Sequence, residues 1–258
     1  MSFIDVHCHL DGETYGNLDG LIQRCSDNGV ERIITVGFDV PSSVMCAEIA
    51  QKYDCVYFTA GCHPTELDGF READLGEIGA LCREKKCVAL GEIGLDYHYP
   101  DTRKELQREV FLRQLEIADA LGLPVQIHSR DCAEDMTGVL KENVKILKNG
   151  ALMHCFSHST ETAEELAKLG LYFSFGGAST WKGAKKAVRT IRALPEDRIL
   201  TETDSPYMAP QSVYKSFPNT PLAIPEILRS IADSRGVTAE YMEERVLKNA
   251  RELFKRLG

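Results

Sequence analysis

The sequence lacks several features that would assign it to particular protein classes. Its apolar runs fall well short of the roughly 20 residues that a membrane-spanning helix needs. Its start, Met-Ser-Phe-Ile-Asp-Val-His, has neither the basic segment nor the apolar core of a signal peptide. We therefore expect a cytoplasmic protein. The nine cysteines include no C-x-x-C pair, so we expect reduced, mostly buried thiols and no zinc ribbon or redox motif.

Positive charge is also scarce. The chain has 30 Lys and Arg against 39 Asp and Glu, a formal net charge of −9, which argues against a broad surface that coats nucleic acid. Binding of a few phosphate groups at one site is compatible with this net charge. Bound divalent cations would add positive charge that the count of charged residues omits. No Pro- or Ser-rich linker divides the chain, and we expect residues 1–258 to form one domain.

Short apolar runs alternate with amphipathic stretches along the whole chain. Eight strands are predicted, at Phe3–Val6, Arg32–Val36, Cys55–Ala60, Cys87–Leu90, Pro124–Ile127, Ala151–Met153, Leu171–Phe175 and Arg198–Thr201. Helical periodicity predicts helices at Leu18–Asp27, Pro41–Lys52, Leu75–Glu84, Arg103–Leu121, Cys132–Lys141, Glu161–Leu169, Ala184–Leu194, Ile224–Ser234 and Ala239–Leu257. Gly29, Gly122 and Gly170 stand where helix C-caps are expected.

Eight strand–helix units in 258 residues are typical of a single (β/α)8 TIM barrel. A doubly wound open sheet shows the same alternation, but the strand count and the chain length favour the barrel. Barrel enzymes build their sites at the C-terminal ends of the strands.

Six residues with imidazole or carboxylate side chains follow predicted strands at that end: His7, His9, Glu92, His128, His154 and Asp204. A single histidine at a strand end is more often an ordinary polar residue than a ligand. His7 and His9, however, are two positions apart, so both rings can face one point. The coincidence of all six favours a metal site.

The number of candidate ligands favours two metal ions. Four imidazoles and two carboxylates exceed what one tetrahedral ion uses, whereas two ions that share a bridging Glu could use all six. Two such ions polarise a phosphoryl or carbonyl oxygen and lower the pKa of a bound water. The sequence therefore predicts two divalent ions, Mg²⁺, Mn²⁺ or Zn²⁺, and hydrolytic chemistry.

Six segments also resemble the TatD family of metal-dependent deoxyribonucleases, within the metal-dependent hydrolase superfamily. They are residues 4–10 (IDVHCHL), 61–64 (GCHP), 91–97 (GEIGLDY), 127–131 (IHSRD), 153–157 (MHCFS) and 201–207 (TETDSPY). One motif alone would be weak, but six in this order are specific. The resemblance implies a 3′-to-5′ exonuclease that acts on DNA ends and prefers single strands.

The resemblance also implies a role for each candidate ligand. One ion is held by His7, His9 and Asp204 together with Glu92, which bridges to a second ion. The second ion is held by His128 and His154. Asp204 also orients or deprotonates the attacking water, a task that suits a carboxylate beside a metal.

Two further residues are candidates for contact with phosphate. His63, in the segment GCHP, matches a family position near the scissile phosphate. Arg130 has a guanidinium that suits phosphate oxygens, although a salt bridge to Asp131 or Glu134 is an equal alternative. The candidate catalytic residues are thus Glu92, Asp204 and His63, and the candidate phosphate contacts are His63 and Arg130.

The sequence alone is compatible with more than one class of substrate. Thr65, His158 and Thr220 depart from the common family pattern in loops that would shape substrate entry. The same ligands would serve hydrolysis of an amide, ester or lactone, including D-aminoacyl-tRNA deacylation, and a non-catalytic metal-binding module is a third alternative. The oligomeric state also stays open, and a monomer is compatible with the sequence.

Aromatic and basic residues after the predicted strands have two interpretations. Tyr97, Tyr99, Phe156, Trp181 and Tyr207 could stack on exposed bases or pack locally. Lys182, Lys185 and Lys186 could meet phosphate or simply solvate a helix.

Overall fold

Eight parallel strands lie side by side in the order of the chain, β1 to β8. They are β1 (Phe3–Cys8), β2 (Val30–Val36), β3 (Val56–Ala60), β4 (Cys87–Asp96), β5 (Val125–Arg130), β6 (Ala151–Met153), β7 (Tyr172–Phe175) and β8 (Ile199–Thr201). The structure, a computed structural model, describes residues 1–257.

Hydrogen bonds join the end of β8 to β1 and close the sheet into a barrel. The N–H of Asp204 donates to the carbonyl of His7 at 2.9 Å, and the N–H of His9 donates to the carbonyl of Ser205 at 2.6 Å. The sequential strand order confirms the predicted (β/α)8 barrel. It excludes the doubly wound sheet, whose strand order reverses at a switch point.

Helices cover the outside of the barrel. They are α1 (Gly12–Tyr15), α2 (Leu18–Asp27), α3 (Val40–Lys52), α4 (Glu72–Leu81), α5 (Lys104–Leu121), α6 (Ala133–Glu142), α7 (Thr160–Lys168), α8 (Lys185–Ala193), α9 (Ile224–Arg235) and α10 (Ala239–Leu253). Gly122 ends α5 in the left-handed region at φ 68°, the conformation that favours glycine at a C-cap. Nine of the ten helices were predicted; the short α1 was not.

Strands β4 and β5 are longer than predicted, because two glycines that look like strand breakers allow close contact between the strands. A Cβ on Gly94 would lie 2.0 Å from the carbonyl oxygen of His128, and one on Gly91 would lie 2.7 Å from the Cβ of Gln126. Glu92 and His128 therefore lie inside strands, where their backbone is held on both sides.

Most of the buried side chains in the molecule are apolar. Phe58, Phe173 and Phe175 on the strands and Phe111 on α5 are fully buried, and each such ring contributes roughly 1.5–3 kcal/mol through burial. All nine cysteines are free and seven are buried, as the sequence predicted. Among the helices of residues 1–257, none is long and apolar enough to cross a membrane.

Candidate metal centre

All six predicted ligands lie together at the C-terminal end of the barrel. Strand β1 carries His7, with His9 directly after it, while β4 carries Glu92 and β5 carries His128. His154 follows β6, and Asp204 lies three residues beyond β8. The parallel strands thus bring side chains that are up to 197 positions apart in the sequence to one edge.

A first group of donor atoms consists of His7, His9 and Asp204. The Oδ1 atom of Asp204 lies 3.8 Å from Nε2 of His7 and 3.6 Å from Nε2 of His9. Metal–ligand bonds of about 2.1 Å bring neighbouring ligand atoms of one ion to comparable separations. These three residues form one of the side-chain groups that could hold an ion.

Glu92 connects this group to a second one. Its Oε2 lies 3.6 Å from Nε2 of His7, on the side of the first group. Its Oε1 lies 2.6 Å from Nε2 of His154 and 2.9 Å from Nδ1 of His128. The two oxygens of one carboxylate therefore face two different sets of imidazoles.

An unpaired buried nitrogen atom indicates that this centre suits cations. Nε2 of His7 is fully buried and has no hydrogen-bond partner among the described residues. A buried polar atom without a partner is costly in an apolar interior, but an imidazole lone pair is a ligand for Zn²⁺, Mn²⁺ or Fe²⁺. The residues present fit divalent metal ions.

The balance of charge leads to the same conclusion. Asp5, Glu92, Asp96 and Glu202 are buried at or just below this centre, and Asp204 is largely buried. Within residues 1–257, the salt-bridge partners of Glu92, Asp96 and Glu202 are histidines. Bound cations would compensate the three of these carboxylates whose pKa values are low, Glu92, Asp96 and Asp204.

The carboxylates that face the centre have low pKa values. Burial alone would raise the pKa of Glu92, but the charges of His154 and His63 hold it well below its usual range. Burial likewise acts to raise the pKa of Asp204, and His9 and the other rings lower it. Both side chains are therefore ionised at neutral pH and ready to act as ligands.

The stacked rings of His7 and His154 differ strongly in protonation. Their centroids are 3.9 Å apart and nearly parallel. Burial and the neighbouring charge of His154 lower the pKa of His7 to about 3. Burial also acts to lower the pKa of His154, but Glu92 raises it to about 10. The neutral His7 ring thus keeps its lone pair available for a cation.

Neighbouring acceptors fix the orientation of the rings. The side-chain amide of Gln126 donates to the carbonyl of Val6 at 2.9 Å, so its oxygen accepts from Nδ1 of His7 at 2.8 Å. Nδ1 of His9 donates to the carbonyl of Val36 at 3.0 Å. Both rings must then present Nε2 to the centre, which is how metal-binding histidines are commonly held.

On the second group, Asp96 orients His128. Its Oδ2 lies 2.8 Å from Nε2 of His128, which leaves Nδ1 to face Glu92. The amide N–H of Asp96 is in turn bonded to Gln107 at 2.9 Å. Asp96 is part of the segment GEIGLDY but was not predicted as a site residue.

A layer of buried polar residues below the ligands was also missed. Asp5, Gln126 and Glu202 stand two positions before His7, His128 and Asp204. Within β1 and β5 this spacing places both side chains on the same side of the strand. Burial raises the pKa of Asp5 to about 7 and that of Glu202 to about 8. A polar residue two positions before three of the six ligands is the signal that could have revealed this layer.

Glu202 links three strands below the centre. Its carboxylate accepts from the N–H of Cys155 and the hydroxyl of Ser174, both at 2.6 Å, and lies 3.8 Å from the unpaired Nδ1 of His154. It also belongs to a third group, with His7 and His154, that could hold an ion. The Glu202 carboxylate thus faces Nδ1 of His154 without a hydrogen bond to it, and its own bonds to Cys155 and Ser174 fix its position below the centre.

His63 lies closer to the second group than a phosphate contact alone requires. Its Nε2 is 3.5 Å from Oε1 of Glu92, and its ring centroid is 4.3 Å from that of His128. Nδ1 pairs with the hydroxyl of Thr65 at 2.8 Å. Thr65 therefore holds the ring in place, and His63, Glu92 and His128 form a group that could hold an ion.

Arg130 and the three residues that depart from the family pattern lie around the centre. Arg130 ends β5 with an exposed side chain. His158 is hydrogen bonded to Ser129 at 2.7 Å, and Thr220 is the N-cap of a short 3₁₀ turn at 221–223. Only Thr65 among the three departures contacts a predicted site residue directly.

The predicted aromatic residues fall into two classes. Tyr99 and Tyr207 are exposed, whereas Phe156 is buried against Phe173. Tyr97 is partly buried and hydrogen bonded to Asp135, and Trp181 packs against Tyr214 with its indole N–H bonded to the carbonyl of Ala209. Tyr99 and Tyr207 are thus the two of the five with freely accessible rings.

Comparison with known proteins gives matches over nearly the whole chain. The model of the family described as TatD related DNase matches residues 4–255. The uncharacterized metal-dependent hydrolase YabD of Bacillus subtilis (strain 168) is 38% identical over 252 residues, which are 97% of this chain and 98% of the relative. The 3′-5′ ssDNA/RNA exonuclease TatD of Klebsiella pneumoniae (strain 342) is 32% identical over 243 residues, 92% of this chain and 91% of the relative.

A solved structure shows the same architecture. The crystal structure of YJJV, a TatD homolog from Escherichia coli K12, superposes with a TM-score of 0.92 at 31% identity and covers 98% of both chains. The similarity therefore extends from β1 to the last helix.

Proposed function

We propose that this chain, which belongs to the TatD related DNase family of metal-dependent hydrolases, cleaves phosphodiester bonds at the 3′ ends of single-stranded DNA. The observation that supports this most strongly is the pair of donor groups on the two sides of Glu92. The DNA substrate and the polarity are drawn from relatives, one of which is named a 3′-5′ ssDNA/RNA exonuclease.

The proposed centre holds two divalent ions, Mg²⁺, Mn²⁺ or Zn²⁺. His7, His9 and Asp204 would hold one ion, His128 and His154 the other, with Glu92 between them. When bound, such ions polarise a phosphoryl oxygen and make water a better nucleophile at neutral pH. The choice of metal follows availability as much as ligand type.

The protein's own groups then orient the reactants and move the proton. Asp204 accepts the proton of the attacking water, because it is ionised at neutral pH and its side chain, 17% exposed, is accessible beside the first group. General base catalysis of this kind contributes roughly 10²–10⁴-fold to the rate. His63, held by Thr65, and the exposed Arg130 donate hydrogen bonds to phosphate oxygens.

The proposal extends to the domain organisation and the oligomeric state of the chain. Residues 1–258 act as one catalytic domain, and a monomer would contain the complete site, since every proposed ligand comes from one chain. The cytoplasmic location predicted from the sequence stays a prediction.

The test uses a single-stranded oligonucleotide labelled at its 5′ end and the protein loaded with Mg²⁺, Mn²⁺ or Zn²⁺. We expect a ladder of products that shorten from the 3′ end, and no products in the presence of a chelator. Glu92→Ala should abolish cleavage, whereas Glu244→Gln on the outer face of α10 should cleave normally.

Folded, metal-loaded protein that cleaves no DNA with any of the three ions would refute this function. A parallel panel of esters, amides, lactones and D-aminoacyl-tRNA identifies the alternative substrate in that case. Binding of metal without turnover of any of these would favour a non-catalytic module.

A further inference from the structure

A cleft of about 660 Å³ opens directly beside the metal centre. His9, His63 and Glu92 form its inner end, and the segments after β1, β2 and β3 form its walls. Its volume lies within the range of roughly 300–1,000 Å³ that is usual for small-ligand sites. The cleft can therefore accommodate a group the size of one nucleoside while a neighbouring phosphate lies at the centre.

The charged side chains that line this cleft, apart from the metal-centre residues, are all acidic: Asp11, Glu13, Asp39 and Glu66. Asp11 and Asp39 accept hydrogen bonds from backbone N–H groups at the starts of α1 and α3, which fixes their positions. Among the described residues 1–257, neither Lys nor Arg lines the cleft. A second negatively charged group would therefore be repelled there, since like charges in close contact strongly disfavour binding.

The rest of the lining is apolar, with aromatic rings at the rim. The exposed Pro41 and the half-buried Met45 form part of the wall. The rings of Phe38 and Tyr207, which are 36% and 58% exposed, lie 5.9 Å and 6.4 Å from the ring of His9. Two accessible rings next to an apolar wall suit an unstacked base, because every base has a face that stacks on an aromatic side chain.

The opposite side of the centre has the reverse charge. Cys155, next to His154, lines a second recess of about 250 Å³ together with His158 and Lys186. Lys182 and Lys185 are exposed in the same loop and helix. Phosphates that continue along a strand would find favourable charge on this side and unfavourable charge in the cleft.

We propose that the acidic cleft is a subsite for the uncharged terminal nucleoside of a strand that ends in a free 3′-hydroxyl, and that it rejects a terminal 3′-phosphate. The carboxylates accept hydrogen bonds from the hydroxyl and from base N–H groups, whereas a phosphate offers them only negative charge. The rest of the strand leaves over Lys182, Lys185 and Lys186. This inference rests on the proposed exonuclease function and adds the chemistry of the end that the site accepts.

The test compares three single strands of one sequence that end in 3′-hydroxyl, 3′-O-methyl or 3′-phosphate, with the metal-loaded protein. We expect kcat/KM for the phosphate end to be lower than for the hydroxyl end by about tenfold or more, since like-charge contacts strongly disfavour the wrong ligand. The methyl end, which has no charge, should stay within a few-fold of the hydroxyl end. Glu13→Gln combined with Glu66→Gln should reduce the discrimination against phosphate, and Glu244→Gln should not change it.

Equal rates on hydroxyl and phosphate ends would overturn the inference. So would a methyl end as poor as the phosphate end, which would indicate a steric effect, or discrimination that the double variant leaves unchanged. Absence of cleavage on all three strands would instead refute the proposed function. In that case, fluorescence anisotropy measures the affinity of the protein for the same oligonucleotides and tests the subsite separately. Equal affinities for the hydroxyl and phosphate ends would refute the subsite.

Discussion

Removal of the acceptor that orients His7 should weaken metal binding without a direct change to any ligand. Gln126 is fully buried, accepts from Nδ1 of His7 at 2.8 Å and donates to the carbonyl of Val6. Gln126→Met keeps the approximate shape of the side chain but removes both hydrogen bonds. The His7 ring then loses the contact that directs Nε2 towards Glu92 and Asp204.

The expected size of the effect follows from these contacts. Loss of an acceptor behind a metal-bound histidine typically lowers affinity by about 10–100-fold, which corresponds to roughly 1.4–2.8 kcal/mol. Two buried polar groups also lose their partners, at a cost to folding of about 1–3 kcal/mol each. For a chain of this size, each kcal/mol lowers the unfolding midpoint by about 2–4 °C.

Competition with a chelating indicator measures the metal affinity, and thermal unfolding measures the stability. Gln126→Glu retains an acceptor for His7 and should bind metal more tightly than Gln126→Met. Asn249→Leu is the matched control, because Asn249 is buried and donates to the carbonyls of Glu196 and Ile199 next to the start of β8. It should lose stability and keep its metal affinity. Equal affinity in Gln126→Met and the unaltered protein would refute the assignment.

Three further predictions follow from other contacts. Asp204→Asn should lower kcat by roughly 10²–10⁴-fold. Its circular dichroism spectrum should not change, because residue 204 has φ 51°, a conformation that Asn tolerates. Near-normal turnover of this variant would exclude Asp204 as the general base. His154 is protonated in the metal-free protein up to a pKa of about 10, above its ordinary value of 6.5, so the stability that it contributes is present below pH 6.5 and declines as pH rises towards 10. A metal ion that binds His154 must displace this proton. Calorimetric titration of metal into the protein, repeated in buffers of different ionisation enthalpy, should therefore detect proton release. An unprotonated His154 would release no proton. Lys86→Met should lower the free energy of unfolding in urea by about 1–3 kcal/mol, because Lys86 donates to the carbonyls of Ala50 and Tyr53 at 2.7 and 2.8 Å. Lys85 is the exposed neighbour, and Lys85→Met should change the free energy of unfolding little.

The fold was predictable because strand and helix periods alternate without interruption. Most predicted elements, such as the helix at Leu18–Asp27 and the strand at Ala151–Met153, agree with the structure to within about three residues, the usual uncertainty at element ends. The clear failures have local causes. The prediction for β4 ended at Leu90, before Gly91, although Gly91 and Gly94 serve close packing against β5. Helix α1 has only four residues, too few to show a period.

The candidate ligands were predictable for a related reason. Strand order is simple in a barrel, so a residue at the C-terminal end of one strand faces those of the others. The roles of Asp96 and Gln126 depend on which ring each side chain contacts, and these contacts join different strands. The acidic cleft could not be predicted from the sequence, because Asp11, Asp39 and Glu66 come from three separate loops.

Turnover of a 5′-labelled single strand with a free 3′-hydroxyl, measured while metal is titrated into metal-free protein, tests the central claim most directly. Two ions on the two sides of Glu92 predict no cleavage in chelator, little after one equivalent, and full activity as the second equivalent binds. Full activity with one equivalent or in chelator, or none with two ions bound, would contradict the two-ion centre proposed for this barrel.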